Sequence, residues 1–199
     1  NGHNFMRLWM YEQSKMGSWS YDTIYFDPLP FARTGPGIAN DGKPKFDLTK
    51  FNPYYFKRLR SRIIEARKRN IYAAVMLFNG WSLDRTAWKM GDPYPFLPYN
   101  IDNNINGISA PGIVNDFIDK PNLHSMKISP ALLAVQEAYV KKVIETVNDL
   151  DNVLYEIINE GGATDWQYHM VRFIKQTESA LPKQHPVGMT HQGEAKQNI

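Results

Sequence analysis

The chain has 199 residues, 43% hydrophobic and 22% charged, with 23 basic and 20 acidic residues, a net charge of +3 and no cysteine. That is room for one domain with a real core and the composition of an ordinary soluble globular protein. It excludes disulfides, thiolate zinc sites and cysteine nucleophiles, it lacks the concentrated basic stripe of a nucleic-acid binder, and no apolar run approaches the roughly 18 residues of a membrane span.

In chain order, Phe5 to Met10 (FMRLWM) predicts a short strand beginning almost at the first residue. Ser14 to Lys45 is polar and rich in Gly and Pro, and predicts a long excursion with turn chemistry; GPG at 35–37 reads as an ordinary turn. Asn52-Pro53 then opens a helix, Asn as N-cap and Pro at the first helical position. Phe56, Leu59, Ile63 and Ala66 form its apolar stripe, and it ends near Asn70. The basic run Lys57 to Arg69 falls on this helix and reads as its solvated face.

Ile71 to Phe78 (IYAAVMLF) is nearly all apolar, as a strand buried on both faces should be. A second long loop runs from Asn79 to Ile128. Ser129-Pro130 caps the next helix, with Leu132, Leu133, Gln136, Tyr139, Val140, Val143 and Val147 on its stripe. Val153 to Ile158 is the third strand. A helix from about Thr164 to Ala180 carries Trp166, Met170, Phe173, Ile174 and Thr177 on one face, and Pro182 stops it. Pro186 to Thr190 is a fourth short strand.

Strand, loop and helix alternate with no hairpin signal between strands, which predicts parallel β/α units with right-handed crossovers. The long connections follow strands and the tight ones follow helices, the layout of a (β/α)8 barrel. The predicted fold class is α/β: a partial (β/α)8 TIM barrel with parallel strands and long loops at the strand C-terminal ends. Four strands cannot close a barrel, which takes about 250 residues, so residues 1–199 are expected to form a single barrel domain, incomplete at both ends. A small open α/β sheet fits the same pattern.

Chemistry concentrates where the third strand ends. In NVLYEIINEGG the apolar run passes into Asn159-Glu160 and stops at Gly161-Gly162. A carboxyl at the mouth of a buried strand is poorly placed for stability and well placed for catalysis. Arg7, inside FMRLWM, is a charge in a buried setting and needs a partner. Aromatics make up 13% of the chain, and Trp9, Tyr11, Trp81 and Trp88 lie on strand ends or in the loops that follow. Asn79, His191 and Gln192 occupy similar positions; His3 lies on the entry side of the first strand.

The succession FMRLW, IYAAVMLFNGW, LYEIINE and HPVGMT resembles strands two to five of the cellulase-like (clan A type) (β/α)8 glycoside hydrolases. KFDLTKFNPYYFKRLRSRI also resembles a group of such glycosidases whose substrates are poorly defined. The resemblance implies an enzyme, a glycosidase acting on O-glycosidic bonds of a poly- or oligosaccharide. It makes Glu160 the general acid/base, Asn159 the residue that hydrogen-bonds the sugar 2-hydroxyl, and Arg7 the support of the nucleophile carboxylate. Trp9, Tyr11, Asn79, Trp81, Trp88, His191 and Gln192 become substrate-binding residues, with carbohydrate as the partner. An extracellular or periplasmic setting follows from the substrate class alone. A retaining enzyme needs a second carboxylate about 5–5.5 Å from the acid. In the family it follows the seventh strand, beyond this chain; Glu12, Asp84 and Glu194 are in-chain carboxylates, none at the matching position.

Other motifs are weak. Asp102 to Gly107 fits the first half of a calcium loop, but the twelfth position is Ile113 instead of Glu. The histidines at 3, 124, 169, 185 and 191 form no metal-binding spacing, and no nucleotide-binding glycine motif occurs, so neither metal nor cofactor is expected. No nucleophile elbow is present. A non-catalytic carbohydrate-binding barrel and an unrelated (β/α)8 lyase or isomerase are the alternative readings.

Overall fold

A computed structural model describes residues 2–17, 23–80, 93–110 and 123–189. Its centre is a four-stranded parallel sheet in the order β1 (Phe5–Leu8), β6 (Tyr72–Asn79), β7 (Val153–Asn159), β8 (Val187–Gly188). Helix α1 (Pro53–Arg67) precedes β6, α2 (Pro130–Val147) lies between β6 and β7, and α3 (Thr164–Glu178) lies between β7 and β8. The chain is therefore mixed α/β, with a helix in the connection between successive sheet strands, as the sequence pattern predicts.

The helices begin where the sequence says they should. Asn52 accepts a hydrogen bond from the Tyr54 amide and Ser129 one from the Leu132 amide, each followed by Pro at the first turn. Such a cap satisfies one of the orphan amides of the first turn and contributes about 1 kcal/mol. The apolar stripes meet alternate residues of the sheet in one core: Phe56 and Ile63 of α1, Tyr139, Val140, Val143 and Val147 of α2, and Trp166, Met170 and Ile174 of α3, with Ala73, Val75, Leu77, Val153, Tyr155 and Ile157. The intervening positions Arg7, Met76 and Glu156 meet on the other side of the sheet.

One feature departs from the sequence expectation. The excursion between β1 and α1 is built of hairpins. β2 (Lys15–Gly17) pairs antiparallel with β3 (Thr23–Tyr25), and β4 (Phe31–Ile38) pairs antiparallel with β5 (Pro44–Phe51). The signal was present: Asp41-Gly42 is a hairpin dipeptide, Gly42 takes φ +80°, and Ala39 and Lys43 close the turn with a 2.8 Å hydrogen bond. The Arg33 guanidinium lies 3.9 Å from the Phe46 ring centroid and pairs with Asp41. Pro36 and the glycines within β4 had masked its alternation.

The segment Asp102 to Gly107 is rich in turns, and its side chains bond backbone. Asn104 donates to the carbonyls of Pro98, Asn100 and Ile108 at 2.8–3.1 Å and accepts from the amides of Asn106 and Ile108. Asn106 accepts from the Leu48 amide at 2.7 Å. These side chains are spent on pinning the 97–110 loop to β5, not on converging round an ion. Asp47 lies in the same network. The Thr49 hydroxyl and amide, with Lys50 and Asn106, hold its carboxyl well below the usual carboxylate range, against the opposing effect of burial.

At the edge where the strands begin, Glu178 and His185 are fully buried. Glu178 accepts from the His185 amide at 2.8 Å and from Asn148 at 3.0 Å and lies 2.6 Å from His185 Nδ1, while His185 Nε2 lies 2.9 Å from the Leu150 carbonyl. The cluster ties α3, the turn after α2 and the entry to β8 together, far from the strand ends that carry the candidate chemistry.

Candidate active site

The parallel strands all end at one edge, with Leu8, Asn79 and Asn159 as the last residues of β1, β6 and β7. Arg7 reaches across that edge. Its Nε donates to Glu156 Oε2 at 2.8 Å, and Nη2 donates to Glu156 Oε1 at 2.5 Å and to Asn159 Oδ1 at 2.8 Å. Asn159 in turn turns Nδ2 toward Asn79 Oδ1 at 3.5 Å. Strict alternation would put residues 156 and 159 on opposite faces, yet one guanidinium holds both. The β6–β7 register runs without a shift to Asn79 opposite Asn159, and the long Arg7 side chain spans both positions at the strand end.

The Arg7–Glu156 pair is bidentate, with side chains 34% and 16% exposed. It sits between the surface and the interior limits, where such a pair contributes about 1–2 kcal/mol and fixes geometry as well. Glu156 is a residue the sequence reading missed. β1 is not the buried strand the sequence suggests, and Arg7 in it is exposed; it is the more buried Glu in LYEII that needs a partner, and Arg7 supplies it.

Glu160 follows directly. Its φ is +49°, a left-handed conformation that only Asn70 shares among the described non-glycine residues. For a residue with a Cβ this costs about 1–2 kcal/mol, and such strain concentrates at functional positions. Gly161 and Gly162 continue the turn with φ +94° and +77°. Gly80 is held just as tightly from the neighbouring strand: a Cβ there would lie 1.9 Å from the Glu160 carbonyl oxygen. The backbones of the two strand ends therefore touch. The N-cap of α3 is Ala163, which has no side chain to cap with, and Asp165 in the first turn accepts from the Trp166 amide at 2.8 Å.

The other expected site residues distribute as follows. Trp9 is 46% exposed, with the Arg7 guanidinium 5.1 Å from its ring centroid. Tyr11 stacks on Phe26 at 4.2 Å, and burial pushes its hydroxyl pKa up. These rings and Arg7 line a cavity of about 510 Å³ beside the polar cluster. Asn79 is fully buried, and its side-chain oxygen lies 3.5 Å from Asn159 Nδ2. Trp81, Trp88, His191 and Gln192 lie outside the described residues, as do Asp84 and Glu194. Glu12 is buried to 1% exposure. Among the described residues, no cluster of three or more His, Asp or Glu could hold a metal, and no helix is long and apolar enough to cross a membrane.

What these features define is an α/β protein with a charged and amide-rich cluster at the C-terminal ends of adjacent parallel strands, where such folds place their ligands. The chain belongs to the family described as domain of unknown function DUF6298, whose family model matches residues 18–199. No curated protein and no solved structure matches it.

Proposed function

We propose that the chain is part of a (β/α)8 glycoside hydrolase in which Glu160 is the general acid/base. In this reading β1, β6, β7 and β8 are consecutive barrel strands, completed by further β/α units of the full-length protein. The observation that carries the proposal is the 2.8 Å bond from Arg7 to Asn159, made across β6 and immediately before a Glu in a left-handed conformation. A fixed guanidinium, a fixed amide and a strained carboxylic residue meeting at one strand end support a chemical role beyond the stability of the Arg7–Glu156 pair. Glycoside hydrolysis uses each of them: a carboxyl to protonate the leaving oxygen, an amide to bind the sugar 2-hydroxyl as positive charge develops on the ring, and a cation to organise the anionic side of the site.

In that scheme Asn159 presents its amide to the 2-hydroxyl, with Arg7 fixing which way the amide faces. Trp9 and Tyr11 offer ring faces to the sugar C–H groups. The second carboxylate is expected on a later strand end, outside these 199 residues, and a polysaccharide substrate argues for an extracellular or periplasmic setting. The test is a screen of the full-length protein against polysaccharides and aryl glycosides, with Glu160→Gln beside it. Turnover by the native protein and glycan binding without turnover by the variant support the proposal. Equal turnover by both removes Glu160 from the mechanism.

A further inference from the structure

Glu12 lies just beyond the end of β1, and its side chain is 0% exposed. Its Oε1 accepts from two donors, the Asn79 amide at 3.1 Å and His124 Nε2 at 2.8 Å. Oε2 is buried without a hydrogen bond among the described residues. A carboxyl kept in such a place is costly, and among the described residues its hydrogen bonds pass through Oε1. That atom joins three chain segments at the strand-end edge.

His124 carries the connection further. Its ring packs against Phe78 at 5.5 Å and Trp166 at 5.0 Å between centroids. Its carbonyl accepts from the Ala163 amide at 2.8 Å, which closes the turn that contains Glu160. Gln136 of α2 holds the neighbouring Leu123 carbonyl at 2.8 Å and accepts from the Trp166 indole at 3.0 Å. From Glu12 one therefore reaches the amide of Asn79, whose side chain meets Asn159, and through His124 the residue that ends the Glu160 turn.

We propose that Glu12 and His124 are a positioning pair for this site: a buried clasp that fixes the end of β6 and the Gly161–Ala163 turn, and through them Asn159 and Glu160. The pair touches no substrate. Its effect on turnover rests on the glycosidase reading; its effect on the strand ends does not.

The test uses the full-length protein with Glu12→Ala, Glu12→Gln and His124→Phe. Gln keeps an acceptor oxygen, and Phe keeps the ring packing while removing the donor. Amide hydrogen exchange is read at Asn79 and Ala163, with Asn148, bonded to the Ile144 carbonyl, as the control. Glu12→Ala and His124→Phe are expected to speed exchange at both site amides by about tenfold or more while leaving Asn148 unchanged, because only the local opening becomes easier. Glu12→Gln is expected to stay near the native rates. On any glycoside the native protein turns over, kcat per folded molecule falls about tenfold or more in the first two variants, with KM changed far less, and recovers in Glu12→Gln. A merely structural role would lower the melting temperature and leave that kcat intact.

Native exchange rates at Asn79 and Ala163, or a native kcat in an active protein, overturn the proposal. If the native protein turns over no glycoside, the glycosidase reading fails by itself and the exchange rates alone decide. If Glu12→Ala does not fold, His124→Phe against Glu12→Gln gives the same decision: faster exchange in the first and native exchange in the second are required.

Discussion

Substituting Gly80 by Ala should damage the site without touching any side chain in it. A Cβ at residue 80 would sit 1.9 Å from the Glu160 carbonyl oxygen, 3.0 Å from its carbonyl carbon and 3.2 Å from Gly161 Cα. All three are backbone atoms, so no rotamer change relieves the overlap. Real Cβ atoms essentially never come within 3.0 Å, so the two strand ends must part by about 1 Å. Forcing a methyl into a packed region costs about 1–3 kcal/mol. A misplacement of about 1 Å at a reacting group costs roughly a hundredfold in rate. On the proposed glycosidase reading, the loss in kcat should therefore exceed what the loss of folded protein explains. Gly188→Ala is the control, since the nearest atom to its added Cβ is the Tyr155 carbonyl oxygen at 3.9 Å. Thermal melts and turnover of the two variants, side by side in the full-length protein, decide the matter. Native stability and activity in Gly80→Ala would refute the contact between the strand ends and the reasoning built on it.

Three further outcomes are expected. In a double-mutant cycle on Arg7→Met and Glu156→Gln, the coupling energy from urea melts should be about 1–2 kcal/mol, each single variant being worse than additivity allows because it strands the opposite charge; a coupling near zero would mean the pair is dispensable to the fold. Asp47→Asn should lower stability at neutral pH by about 1–2 kcal/mol through its lost charged hydrogen bonds. Because its folded-state pKa is depressed, the contribution is present above the unfolded value of about 4 and is lost as pH falls through the folded one, so the gap to the native protein should close in acid; a pH-independent gap contradicts this. His185→Ala should destabilise by about 3–5 kcal/mol in chemical denaturation, since it leaves the buried Glu178 carboxylate without its principal partner, and should leave kcat per folded molecule unchanged.

How much of this was legible in the sequence depends on the length scale of the signal. The helices were readable because their caps, Asn52-Pro53 and Ser129-Pro130, and their stripes are local. β6 and β7 were readable because their apolar runs are unbroken, and their observed ends at Asn79 and Asn159 fall one residue past the expected ones. The β4–β5 hairpin was missed although Asp41-Gly42 announced it, because Gly35, Pro36 and Gly37 make β4 look like loop. At the site, Arg7 and Asn159 could be picked out as polar residues in apolar strands and Glu160 as the carboxyl at the mouth of one. Glu156 satisfies the same criterion and was passed over for the motif beside it. The Glu12–His124 contact spans more than a hundred positions, and no pattern in one sequence reveals such a pairing. Gly80 is similar: its need for a bare backbone arises only from the approach of Glu160 on another strand.

The most direct test of Glu160 as general acid is the dependence of the Glu160→Gln defect on the leaving group. The full-length protein and the variant are compared on a series of glycosides whose aglycones range from nitrophenols to simple alcohols. A general acid matters most where the departing oxygen is most basic, so kcat/KM should fall by about a hundredfold to ten-thousandfold on the poorest leaving groups and much less on nitrophenyl glycosides. A defect of the same size across the series, or none at all, would contradict the role assigned to Glu160.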